Sequence, residues 1–77
     1  MKVKVIVTLK EGVLDPQGKA IQQTLNGMSF PEVREVRQGK YFDIEVNTND
    51  EKKAKLKVEE MCKKLLVNLV IEDYKIL

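Results

Sequence analysis

Histidine is absent from this 77-residue chain, which removes the commonest general base and the commonest metal ligand. The one cysteine, Cys62, sits beside Met61 on the apolar side of a helix-like run. With no histidine to activate it, it is expected to be a buried structural thiol. A lone cysteine also excludes a Cys-x-x-Cys metal loop, so no metal site is expected. Carboxylates do pair along the chain, at Glu59-Glu60, Glu72-Asp73 and Asp43 with Glu45. Acid–base hydrolysis needs such groups in a dry cleft; lysines accompany these, and they read as solvated or interface charges.

Two further segments have residue types and spacing that could bind something. In Asp15-Pro16-Gln17-Gly18, aspartate can cap a helix and proline lacks the N–H that would go unpaired in a first turn. Gly18 is out of place there, because inside a helix it is less favourable than alanine by roughly 1 kcal/mol. A close backbone approach by another group would explain it. The second segment is Arg37-Gln38-Gly39-Lys40, where Gln38-Gly39 reads as a tight hairpin connection with glycine at positive φ. Asp15 would occupy the place of an anion at the helix start, and neither Gly-Lys-Ser nor Gly-x-Gly-x-x-Gly follows. Arg37 is the better candidate for a specific contact, since its planar fork can hold a carboxylate bidentately. Lys40 offers a second charge. Base stacking on a sheet needs several exposed aromatics. Phe42 should point into the core, and Tyr41 with Tyr74 makes a poor platform for RNA.

The elements that position these segments follow from periodicity. Val3, Val5, Val7 and Leu9 alternate with Lys2, Lys4 and Thr8, which predicts a half-buried strand, with Ile6 as an apolar residue on its polar face. Ile21, Leu25 and Met28 recur at helical spacing after Asp15-Pro16, and Asn26-Gly27 supplies a stop. That helix is expected to lay its apolar face on the inner face of the first strand. Val33–Arg37 and Tyr41–Val46 read either as two strands joined at Gln38-Gly39 or as one long strand with a glycine bulge. Phe42, Ile44 and Val46 share one face. Thr48 with Glu51 fits a capping box for a second helix, whose apolar face carries Ala54, Val58, Met61 and Leu65. Val70 to Leu77 closes the chain as a strand. The order is β-α-β-β-α-β, or β-α-β-α-β if the middle strands fuse. Either gives an α+β, ferredoxin-like two-layer sandwich with two helices on one face of a mainly antiparallel sheet.

Residues 1–77 make one domain, and a chain this short buries only roughly 60–65% of its unfolded surface. Oligomerisation is therefore a plausible source of stability, as a dimer or a tetramer. The opposite sheet face would carry Ile6 and Tyr41 as apolar anchors for a homo-oligomer interface. The net charge of +2, from 14 basic and 12 acidic residues, is too small to indicate attraction to nucleic acid or membrane. With no signal peptide, transmembrane run or disulfide framework, a cytoplasmic location is expected.

Together with Asn68-Leu69-Val70-Ile71-Glu72-Asp73-Tyr74, the two polar segments make the chain resemble the PurS family. PurS is the small subunit of phosphoribosylformylglycinamidine synthase, in purine biosynthesis. The resemblance covers Lys2–Leu9, Leu14–Gly18, Val36–Lys40 and the last turn of the second helix through the C-terminal strand. The chain departs from the family at Leu69, where proline often follows the asparagine, and at Met28-Ser29-Phe30-Pro31. The resemblance implies a non-catalytic accessory subunit. It would join a separate glutaminase to a large synthetase and support passage of ammonia between them. ATP and magnesium are then expected in the large subunit, with no cofactor in this chain. The residues that residue chemistry and resemblance together suggest for partner contact are Asp15, Pro16, Gln17, Gly18, Arg37, Gly39 and Lys40. The alternative is a stand-alone regulatory domain binding a small metabolite at a dimer interface.

Overall fold

The computed structural model describes residues 1–77, and its central strand, β1 (Lys2–Leu9), realises the predicted alternation. Val3, Val5 and Val7 are buried, while Lys2, Lys4, Ile6 and Thr8 face solvent. β2 (Gly39–Glu45) and β3 (Glu72–Ile76) each run antiparallel to β1, one along either edge, in the order β2-β1-β3. The register sets Val3 opposite Ile44, and Val5 between Phe42 and Ile76, with Val7 opposite Tyr74. Directly opposed residues share a face, so one side of all three strands is apolar. Fully burying each valine contributes roughly 1.5–3 kcal/mol.

A single helix covers that side. In α2 (Glu51–Met61), Ala54 and Val58 are buried, and the line continues through Cys62 to Leu66 in a π-helical turn (Cys62–Leu66). Val67 N–H donates to the Cys62 carbonyl at 3.0 Å to close this turn. The buried thiol is held in its protonated form, its pKa raised first by burial and then by the Glu59 charge. This corrects the expected face Ala54, Val58, Met61 and Leu65. The wider turn keeps Leu66 on the core and rotates Leu65 out to 83% exposure, and Met61 is 38% exposed. The cap also differs. Asp50, not Thr48, caps α2, accepting from Lys52 and Lys53 N–H at 3.0 and 3.3 Å. The Thr48 hydroxyl instead accepts from Asp50 N–H at 3.2 Å, one step upstream. A carboxylate at the cap satisfies the same donors and also suits the positive end of the helix dipole.

The other helix, α1 (Pro16–Gly27), begins at Asp15-Pro16 and stops at Asn26-Gly27 as predicted, but it does not lie on β1. Ala54, Val58 and Cys62 already cover the inner valines. α1 instead extends from the sheet as an arm, and the molecule measures 48 × 24 × 14 Å. The chain reverses after α1 through Ser29, whose φ of 77° lies in the left-handed region. The Val33–Arg37 run forms no strand, which leaves β2 as the single strand in the middle of the chain. The class read from the sequence holds: α+β, with an antiparallel sheet and two helices. No helix is long and apolar enough to cross a membrane.

The line from Ala54 to Leu66 generates a stability prediction. Val58→Ala should cost roughly 2–3 kcal/mol in urea unfolding, from lost burial and a residual cavity. Leu56→Ala, on the exposed side of the same helix, should stay within about 0.5 kcal/mol.

Candidate functional site

The two polar segments meet at one carboxylate. Asp15 is only 8% exposed, and its Oδ1 accepts from Gly18 N–H at 2.8 Å, the helix cap anticipated from the sequence. Its Oδ2 accepts from Gln38 N–H, also at 2.8 Å. The cap of α1 is therefore also the anchor of the segment that leads into β2. The side chains above it join as well, with Gln38 Nε2 donating to Gln17 Oε1 at 2.8 Å. Hydrogen bonds from Gln38 and then Gly18 hold the Asp15 carboxyl below its ordinary pKa. Burial opposes them, and the nearby Arg37 charge adds a smaller lowering.

Gly18 is explained by the same meeting. A Cβ there would collide with the carbonyl oxygen of Val36, so the close approach inferred from the sequence is made by the chain's own returning segment. That segment follows α1 back along its length. Asn26 Nδ2 donates to the carbonyls of Phe30 and Val33 at 3.0 and 3.1 Å, and Val36 then packs over Gly18. Gly39 needs correction. It is the first residue of β2, opposite Thr8, with no positive φ and no hairpin around it. A Cβ there would meet the Val7 carbonyl, so the glycine permits close strand pairing.

The basic residues flank this junction. The Arg37 guanidinium donates to the carbonyls of Lys10 and Leu9 at 3.1 and 3.4 Å, tying the end of β1 to the returning segment. Lys40 Nζ lies 3.7 Å from Glu72 Oε2, across from the start of β3. Asp15, Gln17, Gly39 and Lys40 line one cleft of about 200 Å³, with Gln38 and Glu72. Asp15 and Arg37 share a second cleft on the other side, about 240 Å³. Pro16 is exposed at the rim and Gly18 is buried beneath it. Of the proposed interface pair, Ile6 and Tyr41 stand directly opposite each other on the outer sheet face, both exposed.

Sequence reasoning passed over Gln38 and Glu72. Gln38 acts chiefly through a backbone N–H, which any residue but proline supplies, so its identity carried no signal. Glu72 was grouped with Asp73 as a solvated charge. Only its position at the head of β3 brings it to Lys40, and it also accepts from Asn68 N–H at 2.7 Å.

With this geometry in place, comparison with known proteins is informative. A family model described as PurS, phosphoribosylformylglycinamidine (FGAM) synthase, matches residues 2–77. The phosphoribosylformylglycinamidine synthase subunit PurS of Bacillus subtilis (strain 168) is 53% identical over 74 residues, covering 96% of this chain and 87% of that protein. The crystal structure of Methanocaldococcus jannaschii PurS superposes with a TM-score of 0.88 at 51% identity, covering 99% of this chain and 92% of that one. A chain in the structure of PurLQS from Thermotoga maritima gives a TM-score of 0.90 at 33% identity, covering 99% of this chain and 93% of that one.

Two outcomes test the junction. Gly18→Ala should destabilise the chain by roughly 1–3 kcal/mol through overpacking against Val36. Gly27→Ala, with open space around its Cβ, should be neutral or stabilising by up to about 1 kcal/mol. Paired urea titrations read both. For Asp15 the folded-state pKa is depressed, so its contribution is fully present above the ordinary value of 3.8 and is lost as pH falls below it. Asp15→Asn, which keeps one acceptor of the two, should be less stable than the parent chain at neutral pH. The gap should narrow as unfolding is measured at pH values descending below 4, about the ordinary aspartate pKa. A gap that is constant across that range would exclude the carboxylate as its source.

Proposed function

The chain belongs to the PurS family, and on that premise we propose that it is the accessory subunit of phosphoribosylformylglycinamidine synthase that joins a glutaminase to a large synthetase. In this reading the enzyme converts formylglycinamide ribonucleotide, glutamine and ATP into the formylglycinamidine product. The glutaminase releases ammonia, the synthetase activates the amide oxygen with ATP and magnesium, and the present chain supports ammonia transfer between the two sites. It works in the cytoplasm as a homo-oligomer, and its contribution is positioning and exclusion of water rather than bond-making.

One observation carries the docking part of this reading: the Asp15 clamp gathers Asp15–Gly18 and Gln38–Lys40 into one ridge, in a chain matched from residue 2 to 77. Gln17, Lys40 and Pro16 stand exposed on that ridge and are the groups a partner would meet. Gly18 and the inner oxygens of Asp15 support the ridge from below. Arg37 fixes its flank to β1 while remaining partly exposed.

Reconstitution with the glutaminase and the synthetase tests this. Omitting the chain should abolish glutamine-dependent synthesis while leaving synthesis from added ammonium salt intact. Lys40→Glu combined with Gln17→Arg should lower the glutamine-dependent rate by about tenfold or more through mismatched charge at the docking surface. The fold should be unchanged by circular dichroism. Undiminished assembly and rate with this double variant would remove the ridge from the interface.

A further inference from the structure

The charged groups that line the two clefts of the junction divide by sign in how they are used. Among the carboxylates, Asp15 is buried and accepts from two backbone N–H groups, and Glu72 is largely covered and accepts from Asn68 N–H. Only Glu35 stands out in solvent. The cations Lys19, Arg34, Arg37 and Lys40 are all exposed. Spent carboxylates inside and cations outside turn a positive potential outwards at the junction, although the net charge of the whole chain is only +2.

The second cleft holds the least committed of these cations. Asp15, Lys19, Gln22 and Asn26 recur at helical spacing along the edge of α1 that faces the returning segment. That segment is clamped at both ends, by Asn26 on the carbonyls of Phe30 and Val33 and by Asp15 on Gln38 N–H. Between the clamps, Lys19 and Gln22 from the helix and Arg34 from the segment line the cleft of about 240 Å³. Neither Lys19 nor Arg34 forms an ion pair within the chain. Leu14, 74% exposed, lines the same cleft and adds an apolar edge to it. Two unpaired cations on a backbone fixed at both ends suit an incoming carboxylate. The guanidinium can hold both of its oxygens, and the ammonium adds a point charge.

We propose that this cleft receives a carboxylate side chain of a partner subunit, held between Arg34 and Lys19, with an apolar neighbour of that side chain against Leu14. This rests on the function proposed above and states the chemistry of the surface that docks there: an acidic, partly apolar loop. The ridge and this cleft lie on opposite sides of Asp15, so one tether orders both parts of the contact.

Reconstitution with the glutaminase and the synthetase tests it, with assembly read as a dissociation constant. Lys19→Glu with Arg34→Glu should raise that constant about tenfold or more. Added salt should weaken the parent assembly more steeply than one carrying Lys19→Gln with Arg34→Gln. Lys52→Glu with Lys53→Glu, an equal charge change at exposed positions of α2, should leave the constant within about twofold. A second measurement covers loss of folding in the variants: carbodiimide, which joins an ammonium directly to a carboxylate touching it, is applied to the parent assembly. It should link Lys19 to an aspartate or glutamate of the glutaminase or the synthetase. Lys19→Arg, which keeps the charge, should assemble normally and lose that link. An unchanged constant in the reversed-charge variant, or no such link from Lys19, overturns the proposal and leaves the subunit reading standing. An equal loss in the α2 control also overturns it, assigning the effect to net charge. So do links from Lys19 only to another copy of this chain, or submillimolar binding of inorganic phosphate that Lys19→Glu with Arg34→Glu abolishes, which would make the cleft a small-anion site. A parent chain that binds neither subunit removes the subunit reading and the cleft contact with it.

Discussion

The two hydrogen bonds accepted by Asp15, from Gly18 N–H and Gln38 N–H, fix the direction in which this molecule grows. One oxygen closes the first turn of α1, and the other binds a backbone N–H that lies just before β2. An aspartate with a single N-cap bond would start a helix and leave its axis free to choose a packing partner. Here the helix start is bound to the strand start, and the returning segment is pressed against α1 closely enough that position 18 has no room for a Cβ. The arm is consequently held out from the sheet, and the residues that flank the junction are held at its base. Removal of this one group would uncouple three things: the helix cap, the entry to β2 and the placement of Gln17 beside Gln38.

How far the sequence reports this structure depends on whether a feature is local. β1 was legible because its alternation is uninterrupted and its valines have the branched shape that pleated surfaces favour. The start and stop of α1 were legible because caps are written in two or three adjacent residues. Gly18 showed as an anomaly with the right kind of cause, a close backbone approach. Which group approaches is a long-range fact, and Val36 lies 18 residues further on. The α2 face was misread by one position because the π-helical turn changes the period from 3.6 residues, and neither Cys62 nor the lysines after it announce the change. The largest error concerned packing. Ile21, Leu25 and Met28 have the periodicity of a core-facing helix, and periodicity states that a face wants cover without stating which molecule provides it.

The charged groups at the junction are partly engaged within the chain. Arg37 donates through Nη2 to the carbonyls at the end of β1, with Nη1 3.9 Å from Glu35, and Lys40 leans on Glu72. The Lys10 carbonyl past the end of β1 also accepts from Val13 N–H at 3.2 Å, and the guanidinium adds a charge-assisted bond to it. In the function proposed here this limits what Arg37 can offer a partner: its exposed edge rather than a free fork. Lys40 is the more available cation, since its side chain is 63% exposed and its one carboxylate neighbour, the largely covered Glu72, lies 3.7 Å away.

Pre-organisation follows from these internal contacts. Association costs the freedom of every side chain that must be ordered at the interface, roughly 0.5–1.5 kcal/mol for a long flexible one. Gln17 is already held by Gln38, Lys40 already leans towards Glu72, and the backbone beneath them is fixed by Asp15. Part of that ordering is therefore complete before any partner arrives. In the function proposed here, where the chain acts by docking, a ridge that is ordered before docking lowers the cost of association. The stiffness of the ridge must come from the chain itself, and the least costly source in 77 residues is a carboxylate that serves as a helix cap and a tether at once.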